Sequence, residues 1–419
     1  MKDQFRARTA HIAEYGLTLI KWLACAVITG AICGCIGTAF HYAVDYATIA
    51  RTANPWLLYL LPAAGLAIVF LYRISGITQD PGTNLILRSI RSSEQIPIKM
   101  APLIFIGTTL THLCGGSAGR EGAALQIGGS VGAGLGRVFQ LRENDLHVIT
   151  MCGMSALFAA LFGTPVTASV FCMEVISVGV VYYVAFLPCI VAAIIACFVA
   201  QLCGVTTTVY TIAALPTHSV SILSKVIVIA VCCALVSILF ITAIHRIEAC
   251  FHRFLKNPYL RIAAGGVLIV VLTLLLGTRD YNGAGMNIIA QALNGQAVGY
   301  AFLLKILFTS LTIGAGFKGG EIVPTFFIGS TLGCALGTLL GLDPGFCAAL
   351  GLVGLFCGVV NCPISSVLLS VELFGSNSLP LFALVCAISY LLSGYYSLYA
   401  GQKIIYSKLR TEYVNRNTH

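Results

Sequence analysis

Charge is scarce in this chain. Only 9% of its 419 residues are Asp, Glu, Lys or Arg, where a soluble domain carries about 25%. A water-facing globular surface cannot be built from so few, so a soluble protein is excluded. Carboxylates are scarcer still, 15 in all. No second carboxylate, Ser/His/Asp set or metal-ligand cluster accompanies the one buried-looking glutamate, Glu121. That argues against an intramembrane enzyme using Glu121 as general base. The 17 cysteines contain no CxxC pair, and most fall inside apolar runs, as Cys232, Cys233 and Cys334 do. Cysteine there acts as a small hydrophobe, so neither a disulfide framework nor a metal site is expected. No GxxxxGK[ST] phosphate loop occurs, which leaves no sign of ATP use, and no cofactor is implied.

What is present is apolar: 58% hydrophobic residues and 43 glycines. These describe an all-α polytopic membrane protein whose small residues let helices approach closely. The N-terminus has the basic start of a signal peptide, but Leu17 to Phe40 is too long for an h-region, so it is read as a retained span. Apolar segments cover about 17–47, 55–72, 100–114, 122–139, 147–161, 166–178, 181–203, 219–244, 262–277, 299–313, 322–340, 346–359, 363–374 and 380–399. Several fall well short of the roughly 20 residues that span a bilayer, which predicts tilted and half-spanning helices. The net charge of +9 gathers at the termini and one loop, and so reports topology and not nucleic-acid binding. Lys2, Arg6 and Arg8 precede the first span, while Lys403, Lys408, Arg410 and Arg416 follow the last. By the positive-inside rule both termini are cytoplasmic, as is the basic segment from His245 to Arg261.

The chain is organised around Gly115-Gly116-Ser117-Ala118-Gly119-Arg120-Glu121-Gly122-Ala123. It sets an arginine and a glutamate within about forty residues of apolar side chains and glycine. An ionisable group at membrane depth marks an ion or proton pathway by default, though an Arg–Glu pair can also merely join two helices. The glycines break one helix, and a second starts near Glu121. A helix N-terminus offers unpaired amides and positive dipole, which suit an anion. Broken helices persist at that depth where they line a protein cavity.

The sequence also repeats itself. Gly82-Thr83-Asn84-Leu85-Ile86 returns as Gly285-Met286-Asn287-Ile288-Ile289. Gly119 and Gly128 return as Gly320 and Gly329. Thr164-Pro165, with Glu174 nine residues past the proline, returns as Cys362-Pro363, with Glu372 nine past its own. The offsets of 203, 201 and 198 residues run in order, so the halves are duplicates. The first transmembrane repeat is placed at 17–215 and the second at 216–409, near Pro216, with cytoplasmic ends at 1–16 and 410–419. No soluble or CBS domain is expected. Duplicated halves with matching broken helices place a substrate site at their interface. Three helix starts meet in that argument: Gly82 to Leu85, Gly119 to Gly122, and Gly316-Phe317-Lys318-Gly319-Gly320-Glu321-Ile322-Val323-Pro324. Tyr399, in the last apolar segment, can add a hydroxyl.

These residues resemble the CLC family of anion channels and proton-coupled anion antiporters. Gly119-Arg120-Glu121-Gly122 is similar to its GREGP motif, Gly320 to Pro324 to its GxFxP motif, and Tyr399 to its central tyrosine. The resemblance implies two inverted repeats and a homodimer with one pathway per subunit. It implies that Glu121 gates the pathway and carries a proton, and that Gly82, Thr83, Asn84, Arg120, Gly122, Ile322, Val323 and Tyr399 line the anion site. Three departures resemble the fluoride-exporting CLC-F branch: Pro81-Gly82-Thr83-Asn84-Leu85 lacks the serine of GSGIP, Ala123 replaces the proline after GREG, and Ile322 replaces the phenylalanine of GxFxP. Val175 stands where chloride antiporters carry a second, internal glutamate. The function so implied is fluoride/proton antiport in a bacterial cytoplasmic membrane, with a chloride antiporter or channel of the same fold as the alternative. The partners are fluoride or chloride, protons, lipid and a second copy of the chain.

Several residues carry a plainer reading as well. Glu174 and Glu372 sit at equivalent repeat positions and are expected to tie helix ends. Thr83 is read both as a helix cap and as an ion contact. Asn84 and Asn287 are expected to bond backbone near the helix starts. Lys305, Lys318 and Glu321 are read as balancing one another at a vestibule wall, and His112 as a satisfied buried histidine.

Overall fold

The computed structural model describes residues 2–77, 82–92, 94–206, 210 and 219–418, with side chains from residue 14 onward. Pro81 and the expected repeat junction at 215–216, including Pro216, lie outside the described residues. So do the side chains of Lys2, Arg6 and Arg8. The first half holds helices α1 (Lys2–Ala53), α2 (Leu61–Ile74), α3 (Thr83–Ser89), α4 (Met100–Leu113), α5 (Glu121–Val138), α6 (Glu143–Phe162), α7 (Pro165–Glu174) and α8 (Phe186–Leu202). The second holds α9 (Val220–Phe254), α10 (Pro258–Leu276), α11 (Met286–Leu293), α12 (Ala301–Ala315), α13 (Ile322–Leu340), α14 (Pro344–Val360), α15 (Pro363–Phe374) and α16 (Leu379–Leu392). Seven helices among the described residues are long and apolar enough to cross a membrane, and five apolar helices of 10–17 residues are shorter. The mixture of spanning and half-spanning helices follows from the short apolar runs.

The duplication is visible in reciprocal contacts. Helices α7 and α15 each begin with a proline in the first turn, where its missing N–H is no loss. The residue ahead of each has nearly the same backbone, φ −118°, ψ 75° at Thr164 and φ −122°, ψ 76° at Cys362. The Glu372 carboxylate accepts from the Val166 and Thr167 amides at 3.0 and 2.8 Å. In return the Glu174 carboxylate accepts from the Ile364 and Ser365 amides at 3.1 and 2.9 Å. Each glutamate therefore caps the helix of the other repeat, as expected of groups that tie helix ends.

Glycine sets the closeness of the central crossings. A Cβ on Gly153 would lie 2.1 Å from the Gly128 carbonyl oxygen, so α5 and α6 touch backbone to backbone. Helices α13 and α14 repeat this, with a Cβ on Gly351 2.2 Å from the Gly329 oxygen. Around these crossings α5, α6, α13 and α14 are buried almost throughout. The peripheral helices turn apolar side chains outward, Leu202, Val220 and Leu275 among them. That is the surface of a chain solvated by lipid.

Three features differ from the sequence expectation of an all-α chain. Helix α16 ends at Leu392, so Tyr399 sits in the following loop and not on the last apolar helix. Residues after Tyr399 then fold back as β2 (Lys403–Tyr406) and β3 (Tyr413–Asn417), antiparallel to each other, with β2 parallel to β1 (Ser177–Val178) just beyond α7. Helix α9 also runs ten residues past the apolar segment that ended at 244, to Phe254.

Candidate functional site

Two broken helix starts meet at the centre of the molecule. Gly119 and Gly320 form an isolated antiparallel bridge, with Gly119 N donating to Gly320 O at 2.6 Å and Gly320 N to Gly119 O at 2.7 Å. Directly beyond the bridge, α5 starts at Glu121 and α13 at Ile322. A Cβ on Gly122 would lie 2.9 Å from the Gly320 Cα, so only glycine permits this approach. The amides at the head of each helix have no intrahelical acceptor. In α13 the first such amides are those of Ile322 and Val323, and Pro324 removes the next. The positive ends of α5 and α13 thus converge, as the repeat and the glycine spacing led one to expect.

Glu121 is 2% exposed. Its Oε2 accepts from the Arg120 backbone N–H at 2.9 Å, and its Oε1 lies 3.6 Å from the Arg120 Nε. The carboxylate thus occupies the mouth of a helix N-terminus, where an anion would otherwise sit. Arg120 is held elsewhere: its Nη1 donates to Asp45 Oδ1 on α1 at 2.9 Å, and Asp45 Oδ2 lies 3.0 Å from His41 Nε2. The Arg–Glu contact at 3.6 Å is looser than the Arg120–Asp45 pair, so the arginine does not immobilise the glutamate. Asp45 is a residue the sequence did not single out. It stands 75 positions away on another helix, and no local pattern marks it.

The third helix start, α3, closes the group. Gly82 takes φ +61°, ψ −142°, a conformation open to glycine and strained for other residues. Thr83 Oγ1 lies 3.5 Å from the Gly122 carbonyl oxygen. The Thr83 Oγ1 also accepts from the Gln126 Nε2 at 3.1 Å. The Asn84 Oδ1 accepts from the Gly401 N–H at 2.7 Å, linking α3 to the loop that carries Tyr399. Asn287, its repeat counterpart, is exposed. The Arg91 guanidinium donates to the Gly401 carbonyl as well. Gln402 anchors the same loop by donating to the Val175 and Val360 carbonyls at 2.9 Å each. Val175 takes part through its backbone carbonyl.

Tyr399 is 2% exposed, and its hydroxyl has no partner among the described residues. A buried hydroxyl is usually bonded, so a free one facing a cavity suits a ligand. Tyr399, Gly82, Thr83, Asn84, Gln126 and Glu321 line one end of a cavity of about 1690 Å³. Its outer walls carry Arg88, His245, His252, Lys256 and Arg261, with Glu94 and Glu248 interspersed. Lys318 and Glu321 belong to this wall. Lys305 does not: it is fully buried on α12, its Nζ donating to the Gly283 and Tyr281 carbonyls at 2.7 and 3.3 Å over the Phe327 ring. The expected mutual balance of the three is therefore corrected, because carbonyl oxygens and a π face satisfy Lys305. His112 is buried, with Nδ1 2.9 Å from the Thr108 carbonyl. Its Nε2 has no partner among the described residues, so it is half satisfied.

Fold and site together define a multi-pass membrane protein whose broken helix starts meet in one buried place. The chain belongs to the voltage gated chloride channel (CLC) family, which matches residues 64–394. Members of this family are transporters and channels, not enzymes. A chloride/fluoride channel protein of Pseudomonas syringae pv. tomato is 40% identical over 397 residues, covering 93% of this chain and 88% of that relative. An H(+)/Cl(-) exchange transporter ClcA of Vibrio vulnificus is 25% identical over 430 residues, covering 94% and 90%. Among solved structures, a CLC-type fluoride/proton antiporter superposes with TM-score 0.88 at 33% identity, covering 92% of this chain and 98% of that one. A slow cyanobacterial Cl-/H+ antiporter superposes with TM-score 0.77 at 20% identity, over 89% and 94%, and shares the fold. The protein is thus a multi-pass membrane protein for anion transport, built on two inverted repeats.

Removing only the Tyr399 hydroxyl tests its place on the pathway. Tyr399→Phe is expected to lower anion turnover by about tenfold, the size of one hydrogen bond left unmade. Yield and melting temperature should be unchanged, because the ring still fills its site. Normal turnover with poor yield would make Tyr399 a packing residue.

Proposed function

We propose that the protein exports fluoride in exchange for protons across a bacterial cytoplasmic membrane. It does so as a homodimer, with one pathway per subunit and both termini in the cytosol. The observation that carries this reading is the meeting of three positive helix starts around one loosely held carboxylate. The similarity to the Pseudomonas chloride/fluoride channel protein and to the 33%-identical fluoride/proton antiporter supports fluoride, as does the absence of the CLC serine from Gly82-Thr83-Asn84, whether Gly82 or Thr83 takes its position. The basic wall formed by His245 to Arg261 supports a cavity that opens to the cytosol.

The mechanism follows from charge and geometry. Ionised, Glu121 satisfies the Arg120 amide and excludes an anion from the head of α5. Protonated, it loses its attraction to the positive helix end and gives way. Amides of Arg120 and Gly122, with those of Ile322 and Val323 opposite and the hydroxyls of Thr83 and Tyr399, then hold the anion. Fluoride is small and strongly hydrated, so many short donors are needed to replace its water. Acidified surroundings deliver fluoride to the cytosol as neutral HF, which dissociates and is trapped. An exchanger driven by the inward proton gradient removes it without ATP.

Proteoliposomes loaded with fluoride or chloride, followed with the matching ion electrode, test this. Fluoride efflux with proton uptake and little chloride efflux is expected. Thr83→Ser should relax the preference toward chloride by about tenfold, since a smaller side chain opens the site and one good contact is worth about that much. Equal fluxes of the two anions in the unmodified protein would refute the fluoride assignment and leave a chloride antiporter of the same fold.

A further inference from the structure

Gln126 lies inside the apolar run of α5, yet it is 7% exposed and reaches the anion cavity. It stands one turn beyond Gly122 on the same helix face, since residues four apart are neighbours there. Its Nε2 donates to the Thr83 Oγ1 at 3.1 Å. A buried amide inside an otherwise apolar helix is unfavourable unless it is bonded, and this bond runs to a residue of the proposed site.

Other buried threonines show what Thr83 escapes. Thr38, Thr111, Thr273 and Thr325 each donate to the carbonyl four residues back, at 2.8 or 2.9 Å. That bond occupies the hydroxyl proton. Thr83 is the first residue of its helix and has no preceding turn to accept from it. The nearest acceptor for its proton is the Gly122 carbonyl oxygen at 3.5 Å, the outer limit of a hydrogen bond. Gln126 fills one of the hydroxyl's two acceptor positions, and the proton is left for the cavity.

We infer that Gln126 is a positioning residue for anion selectivity, which by donating to Thr83 holds that hydroxyl with its proton toward the bound anion. The inference rests on the proposed anion pathway and deepens it. A hydroxyl fixed in this way makes a short bond to a small, charge-dense ion. A larger ion, kept further off by its own radius, gains less from the same donor. Without the amide, the hydroxyl turns to the Gly122 carbonyl, and the difference between the two ions shrinks. The Gln126 amide spends a donor on Thr83, so the effect inferred here passes through Thr83.

A double-mutant cycle separates this from a packing role. Gln126→Leu, Thr83→Val and the pair together are reconstituted, and fluoride and chloride efflux are measured on each preparation. Each single change is expected to lower the fluoride-to-chloride ratio by about tenfold, one hydrogen bond's worth. The double variant should be no lower than the worse single. Gln126→Met, which keeps the length of the side chain without its donor, should lower the ratio too. A double variant that loses the product of both effects overturns the inference, as does an unchanged ratio in Gln126→Leu or in Gln126→Met. If the unmodified protein moves chloride as fast as fluoride, the fluoride assignment fails. The same cycle read on chloride then still decides whether Gln126 acts through Thr83.

Discussion

The Glu121→Gln protein is expected to lose proton-driven fluoride transport altogether, down to the leak of protein-free vesicles. Glutamine keeps the size of the side chain and an oxygen able to accept from the Arg120 amide, now 2.9 Å away. It cannot take up a proton. A second carboxylate, that of Glu321, lies close by, its buried Oε2 3.1 Å from where a Cβ on Gly122 would stand and without a partner among the described residues. It heads α13 and does not accept from the Arg120 amide, so it does not replace the titration of Glu121. Folding should survive, because the strong partner of Arg120 is Asp45 and not Glu121. The measurement is fluoride movement against its own gradient, driven by an imposed pH step across the vesicle. Uphill fluoride transport in this variant would remove Glu121 from the proton route. Passive fluoride flux, measured beside it, tells whether the neutral side chain leaves the helix head open.

The second large effect is structural. Gly351→Ala and Gly153→Ala should each reduce the yield of folded protein severely, with a loss of about 3 kcal/mol or more. The new methyl would meet a carbonyl oxygen at 2.2 Å in the first case and 2.1 Å in the second. Backbone on both sides leaves no flexible side chain to move aside, so whole helices must part. Membrane helices associate chiefly by close packing, with no hydrophobic drive to press them back together. Gly16→Ala, with nothing within 4 Å, is the control and should be silent. Size-exclusion profiles and melting in detergent decide the matter. The two central variants should match in severity, since they are the same position in two repeats. A large difference between them would mean that the two crossings are not equivalent.

Much of this was legible from residue patterns because glycine, proline and buried charge have few uses inside a membrane. Gly119-Arg120-Glu121-Gly122 announced a helix start with a titratable group, and the repeat located its partner at Gly320. The reciprocal glutamates were visible as equal spacings after Pro165 and Pro363. What the sequence hid was long-range or short-lived in pattern. Asp45 is one acidic residue on a long helix, with nothing nearby to indicate Arg120. Strands β1, β2 and β3 are 2, 4 and 5 residues long, too short for alternation to register. Helix α9 outran its apolar segment because helical hydrogen bonding continues through His245, Arg246 and Glu248 whatever their polarity. Tyr399 ends an uncharged stretch that continues from the last apolar helix, whereas the Gly394 turn, at φ +59°, releases the chain first. Gln126 did carry a signal, an uncharged polar residue one turn past Gly122 in an apolar helix, but polarity alone does not name a partner.

The exchange of glutamates between α7 and α15 bears on how the molecule is made. The first repeat leaves the ribosome earlier, and its Val166 and Thr167 amides wait for the Glu372 carboxylate, still about two hundred residues downstream in the message. In hydrocarbon an unsatisfied amide costs several kcal/mol. The first half therefore stays unfinished until the second has been inserted, and the second needs Glu174 in the same way. Neither half is an independent module, although each descends from what looks like one. A gene cut between them would yield two fragments that depend on meeting in the same bilayer.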